Sequence, residues 1–298
     1  MKSGQKVAAF VVALAVVFAL AVWVGTKVGP HDAPVERTAA VLPGGLQSTQ
    51  DGYALELADT IAVANPEVPL QFRIVSASGE PVKRFATVHE KVLHLIVVSN
   101  DLATFQHVHP TLDDEGTWRI PLNLERAGDY RVFADFMPAG GQALVLGADL
   151  HVAGHYDPQP LPPVSETSEV DGFTVKLRGT PNADEASMLT LSVSRDGKPV
   201  TDLQPYLGAF GHLVAVRASD LAYLHVHPMG EASDPATPSG PDISFHTTFP
   251  SKGSYRLFLD FQHGDVVRTA AFTVNIGGQP TQAPAPAPSG GQTEHHHH

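Results

Sequence analysis

The sequence predicts an all-β protein: two tandem antiparallel β-sandwiches, immunoglobulin-like or cupredoxin-like, behind an N-terminal transmembrane helix. Three observations carry that expectation. Short segments rich in Val, Leu, Phe and Tyr alternate with Gly, Asp and Pro, and no helical period appears beyond residue 25. The same series of segments is written twice. Each copy places a tyrosine just after a glycine turn.

Residues 1–25 are expected to be a membrane anchor or signal. Lys2 and Lys6 precede the uncharged run VAAFVVALAVVFALAVWV at 7–24. A run of that length covers most of a hydrocarbon core of about 30 Å. The basic residues on its amino side predict a single-pass cell-membrane protein with its domains outside the cytoplasm. The ALA at 19–21 leaves signal cleavage and secretion as the alternative. Residues 26–50, with His31 and Asp32, read as a Gly/Pro/Ala stalk. Residues 154–170, opening GHYDPQPLPPVSETS, read as an extended linker, and 277–298 as a disordered tail. The tail ends in four histidines that are either a purification tag or native.

Between these segments lie domains at 51–153 and 171–276. DGYALEL at 51–57 matches DGFTVKL at 171–177, and HLIVVS at 94–99 matches HLVAVR at 212–217. HVHP recurs at 107–110 and 225–228, and AGDYRVFADF at 127–136 matches KGSYRLFLDF at 252–261. Seven strand-like segments in the second copy suit a sandwich. Tyr130 and Tyr255 fit the tyrosine corner, in which the hydroxyl ties back to the preceding turn. Val132 and Leu257, two residues on, are then inward-facing.

Composition narrows the function. With 298 residues and 43% apolar content the chain can build real cores. A net charge of −12 argues against nucleic acid and anionic membrane surfaces as partners. The absence of cysteine excludes disulfides, thiolate metal sites and cysteine nucleophiles. No G-x-S-x-G, phosphate loop or dinucleotide fingerprint is present, and the chain is expected not to be an enzyme.

The histidines carry the remaining signal. HLVAVR and YLHVH should form a hairpin, and the simplest register sets His212 opposite His225 and His94 opposite His107. His225 and His227 share a face, as do His107 and His109. The strand that begins at the tyrosine corner should run antiparallel beside HLVAVR, bringing Asp260 to His212 and Asp135 to His94. This gives two metal sites, one per domain: His94, His107, His109 and Asp135; and His212, His225, His227 and Asp260. Imidazole with carboxylate suits Cu(II) or Zn(II) as the possible cofactor. A structural His–Asp network without metal, and contacts to a partner, stay open beside this reading. Parity leaves His212 ambiguous, because it shares a face with Val214 and Val216. His263 and Met137 lack counterparts in the other copy, and His89 and His246 read as surface residues, since Leu207 and Pro121 stand in their places. His151 and His155 flank the linker.

GHLVAVRASDLAYLHVHP followed by KGSYRLFLDFQHGDVVRTAAFTV resembles a group of bacterial exported or membrane-anchored HVHP-motif proteins, sometimes described as candidates for heavy-metal binding. The resemblance implies an envelope protein with a sandwich domain. The function expected is an anchored extracytoplasmic protein holding a divalent transition metal, with an envelope protein as a possible partner. A metal-free adhesion module, or an accessory subunit of a membrane complex, is the alternative.

Overall fold

The computed structural model describes residues 3–28 and 43–277. Most of the stalk, including His31 and Asp32, and all but the first residue of the tail lie outside the described residues. Ser3–Val28 form one α-helix over the uncharged run. Among the described residues no helix is long and apolar enough to cross a membrane, so the expected transmembrane helix rests on the sequence alone.

The rest is mostly β, in antiparallel sheets arranged as two repeated domains. Eight strands position the histidines. In the first domain they are β1 (Leu93–Ser99), β2 (Phe105–Val108), β3 (Gly128–Phe136) and β4 (Leu144–Ala153). In the second they are β5 (His212–Arg217), β6 (Tyr223–Pro228), β7 (Gly253–His263) and β8 (Val266–Ile276). Each domain orders these strands alike: β4-β3-β1-β2 and β8-β7-β5-β6. A second sheet backs the first domain, built on Tyr53–Leu57, Asn65–Ser76 and Trp118–Leu124. In the second domain β6 also pairs with Asp242–Thr248, so one continuous sheet wraps the core. The tyrosine corners form as expected: the Tyr130 hydroxyl donates to the Arg126 carbonyl at 2.7 Å, and that of Tyr255 to the Ser251 carbonyl at 3.1 Å.

Each domain has its own core, around Trp118 in the first and around Phe245, Phe249, Phe261 and Phe272 in the second. A third apolar cluster joins them: Ile96, Val98, Leu102 and Phe133 from the first domain, and Val214, Val216, Tyr223 and Phe258 from the second. Thus β1 and β5 are buried on both faces. Leu95 and Val97 face the first core, as Leu213 and Ala215 face the second. Ile96, Val98, Val214 and Val216 face the other domain. The contact uses equivalent residues from each copy. Phe105 stacks on Phe258 with ring centroids 4.1 Å apart, and Tyr223 meets Phe133 at 5.2 Å.

Two segments read as spacers are folded parts of this contact. Gly44 pairs with Tyr223, and the Gly45 amide donates to the Val145 carbonyl at 2.9 Å. Gly45 has φ 75°, and a Cβ there would stand 2.4 Å from the Phe133 ring, so only glycine fits. In the linker, Leu161 packs on the interdomain cluster and the Gln159 amide donates to Asp101 at 2.9 Å.

The interdomain cluster predicts a large effect from one ring. Phe258→Ala should lower the unfolding free energy by about 3–5 kcal/mol in urea titration. A loss below about 0.5 kcal/mol, the size expected of a surface position, would mean that this face is open in solution.

Candidate metal centre

Strand register decides which side chains meet. In the hairpin of β1 and β2, Leu95 pairs with Val108 and Ile96 with His107; in that of β5 and β6, Val214 pairs with His225. The pairing is two residues from the predicted one, because the turn after β1 is centred further along, with Leu102 at φ 56°. A shift of two keeps every side chain on its predicted face. The neighbouring pairing is as predicted: His94 lies opposite Asp135, and His212 opposite Asp260.

The expected pair of separate sites is where the structure departs most. His94, His107, His109 and His212 lie on the faces that the domains press together, so residues of both predicted sets meet at one interface. His94 Nδ1 is 3.0 Å from His107 Nε2 and 3.2 Å from His109 Nε2. These three residues offer nitrogens all within 4.8 Å of one another. Asp260, assigned from sequence to the second site, instead serves the first: its Oδ2 accepts from His107 Nδ1 at 2.8 Å. Its Oδ1 accepts from the Thr269 hydroxyl at 2.6 Å. Asp135 accepts across the interface from the Tyr223 hydroxyl at 3.3 Å. His212 is buried with its ring centroid 6.4 Å from that of His107. The side chains of His225 and His227 lie outside the described residues.

The hydrogen bonds set the tautomers. His94 Nε2 lies 3.0 Å from the Val88 carbonyl, which only accepts, so Nε2 carries the proton and Nδ1 is a lone pair. His212 repeats this with the Tyr206 carbonyl at 2.8 Å. His107 donates from Nδ1 to Asp260, so in the neutral ring Nε2 is a lone pair. His94 Nδ1 and His107 Nε2 thus point at each other at 3.0 Å, with His109 Nε2 beside them, and the outer nitrogens of His94 and His107 are taken by Val88 and Asp260. Nitrogens bound to one tetrahedral ion at about 2.0–2.1 Å stand about 3.3 Å apart, close to the 3.0 and 3.2 Å that separate His94 Nδ1 from its two neighbours.

Electrostatics favour neutral rings at His109 and His212. Burial, reinforced by His107 and His94, pushes His109 down to about 3. Burial also pushes His212 down to about 3, against the Tyr206 carbonyl bond that favours protonation. Burial and the Asp260 charge raise Tyr206 to about 12, so its phenol stays neutral. Neutral imidazole is the form that binds metal.

His89 and Tyr206 are members of the cluster that the sequence did not single out. The His89 ring lies 5.5 Å from His212 and 6.2 Å from His94, and Tyr206 lies 5.9 Å from His212 and 6.4 Å from His109. Reading His89 as a surface residue failed because its repeat counterpart is Leu207, and a shared-residue test discards it. Its place in the loop just before β1 was the available signal. His263 lies elsewhere, 3.4 Å from Asp202, and His151 pairs with Asp129 at 2.7 Å on the surface.

The family described as Domain of unknown function (DUF8832) matches the chain twice, over residues 48–154 and 168–278. No curated protein matches. Among solved structures, a DUF4426 family protein from Pseudomonas aeruginosa is similar at 9% identity, over 40% of this chain and 100% of that one, with a TM-score of 0.29. The Escherichia coli adhesin FdeC is similar at 16% identity over 77% of this chain and 65% of that one, with a TM-score of 0.24. Invasin, a bacterial integrin-binding protein, is similar at 16% identity over 77% of this chain and 40% of that one, with a TM-score of 0.22.

The lowered histidines make the metal-free protein acid-sensitive. Between about pH 6.5 and 3 the unfolded chain binds protons that the folded one refuses. Stability should therefore be complete above about pH 6.5 and fall as the pH drops toward 3. His212 alone contributes up to about 1.4 kcal/mol per pH unit. Urea unfolding at pH 7 and pH 4.5 should differ, and His212→Asn should reduce the difference. Equal stability at both values would contradict the buried, neutral cluster.

Proposed function

The chain belongs to that family, and we propose that it binds a divalent transition metal at the interface of its two domains. His94, His107 and His109 are the ligands, and Asp260 orients His107 from the second domain. The observation that carries this reading is the convergence of His94 Nδ1, His107 Nε2 and His109 Nε2, the first 3.0 and 3.2 Å from the other two, with the outer nitrogens of His94 and His107 held by Val88 and Asp260. Carboxylate-held histidine of this kind raises ligand basicity and fixes the ring. An all-nitrogen set suits Zn(II) or Cu(II).

Because ligands and orienting carboxylate come from different domains, metal binding and domain docking are one linked equilibrium in this reading. The bound ion supplies charge that the buried rings lack, and its role is binding rather than turnover. The run 7–24, with Lys2 and Lys6 before it, supports export and a membrane anchor. The second reading, a His–Asp network without metal, is favoured by the His107–Asp260 contact, which ties the domains together by itself.

A test uses the full chain in detergent, with His295, His296, His297 and His298 replaced by serine. Zn(II) or Cu(II) at a hundredfold excess over the dissociation constant should add about 2.7 kcal/mol of stability. His94→Ala with His107→Ala should abolish that gain, and Asp260→Asn should weaken affinity about 10–100-fold. If neither ion shifts unfolding while Asp260→Asn still destabilises the chain, the metal-free network is the correct description.

A further inference from the structure

A strained turn adjoins the triad and opens onto a cleft. Val88–Lys91 is a tight turn, its end residues hydrogen-bonded in both directions at 2.8 and 3.1 Å. Its central residues, His89 and Glu90, both take left-handed conformations, with φ 47° and 63°. Such turns favour Asn and Gly, and other residues adopt them at a conformational cost. The equivalent turn of the second copy, Tyr206–Ala209, has Gly208 at the second position. Leu207, the counterpart of His89, is left-handed too, at φ 51°, so the copies share the backbone and differ in side chain: where the second has leucine and glycine, the first holds an imidazole and a carboxylate.

The two turns meet over the histidine cluster. Gly208 lies beside the Glu90 carboxylate: a Cβ there would meet Oε1 in ordinary contact at 3.7 Å. Beside them opens a cleft of 780 Å³, whose wall includes His89 and Glu90 from the first domain and Glu231 from the second. Among the described residues lining it there is no Lys or Arg. Lys91 instead lines a separate cavity of 140 Å³, which His94 and Asp135 also line. The cleft is thus the side from which a cation meets negative charge. His89 reaches from the cleft wall to ring contact with His94 and His212.

We propose that this cleft is the inlet for a hydrated divalent cation, and that His89 is a transient ligand that passes the ion to His94, His107 and His109. The proposal rests on the reading of that triad as a metal site. Imidazole exchanges for water on the ion in steps, so a ring between solvent and a buried site divides dehydration into smaller barriers. Glu90 and Glu231 raise the local concentration of cation. A relay of this kind speeds loading and release equally and leaves the equilibrium affinity unchanged.

Stopped-flow mixing of Cu(II) with the full chain carrying serine at 295–298, followed by quenching of intrinsic fluorescence, tests it. His89→Asn suits the left-handed turn and removes the imidazole. It should slow loading, and release to a chelator, by about tenfold each, with affinity within about threefold of wild type. Glu90→Gly should raise the metal-free melting temperature, because glycine relieves the turn, and should slow loading at low salt. Equal loading rates in wild type and His89→Asn would overturn the relay while leaving the triad intact. A slowed on-rate with unchanged release would also overturn it, because His89 would then be a resting ligand. A wild type that takes up no Cu(II) would overturn the triad and the relay together.

Discussion

The burial of both faces of β1 and β5 is the constraint on which the rest depends. A sheet in a lone sandwich has one wet face, and these two strands have none. Ile96 and Val98 of one domain meet Val214 and Val216 of the other across an apolar layer. Every polar residue at the end of that layer must then find a partner inside it, because a buried donor or acceptor left unmet costs about 1–3 kcal/mol. The histidine cluster is the answer at that end. Carbonyls of Val88 and Tyr206 accept hydrogen bonds from His94 and His212, and the Asp260 carboxylate accepts one from His107.

Duplication explains the form of the contact, and divergence explains its chemistry. The aromatic contacts use the same positions in each copy, Phe105 with Phe258 and Tyr223 with Phe133, so the pairing is a pseudo-twofold within one chain. Within that symmetry the copies differ at the histidine cluster. His89 has Leu207 as its counterpart, and Val88 has Tyr206. The first copy's turn is polar, with His89 and Glu90, whereas the second copy's contributes Leu207, a glycine and a neutral phenol. Two halves that began alike now build one asymmetric centre from both.

Much of the fold was legible in the sequence because it is local. Alternation, turn residues and repetition act over five to ten positions, and they sufficed for the strands, the tyrosine corners and the duplication. The adjacency of His212 to Asp260, and of His94 to Asp135, came from strand order alone. Hairpin register was read two residues off, since Leu102 takes a left-handed conformation that its type does not announce. The segments around Gly45 and Leu161 looked like spacers because glycine and proline mark both loops and close-packed crossings.

By itself, then, the sequence determined two β domains, the spacing that puts neighbouring strand histidines on a common face and the carboxylate beside each strand start. Only the tertiary structure decided that those faces close on each other, so that Asp260 orients a histidine 153 residues away in the chain and His89 joins the group. The reason is physical. Strand periodicity tells one face from the other but does not say what covers it, and Val214 and Val216 read equally well as core or as contact. That choice is made by the complementarity of two whole surfaces, which no local pattern encodes.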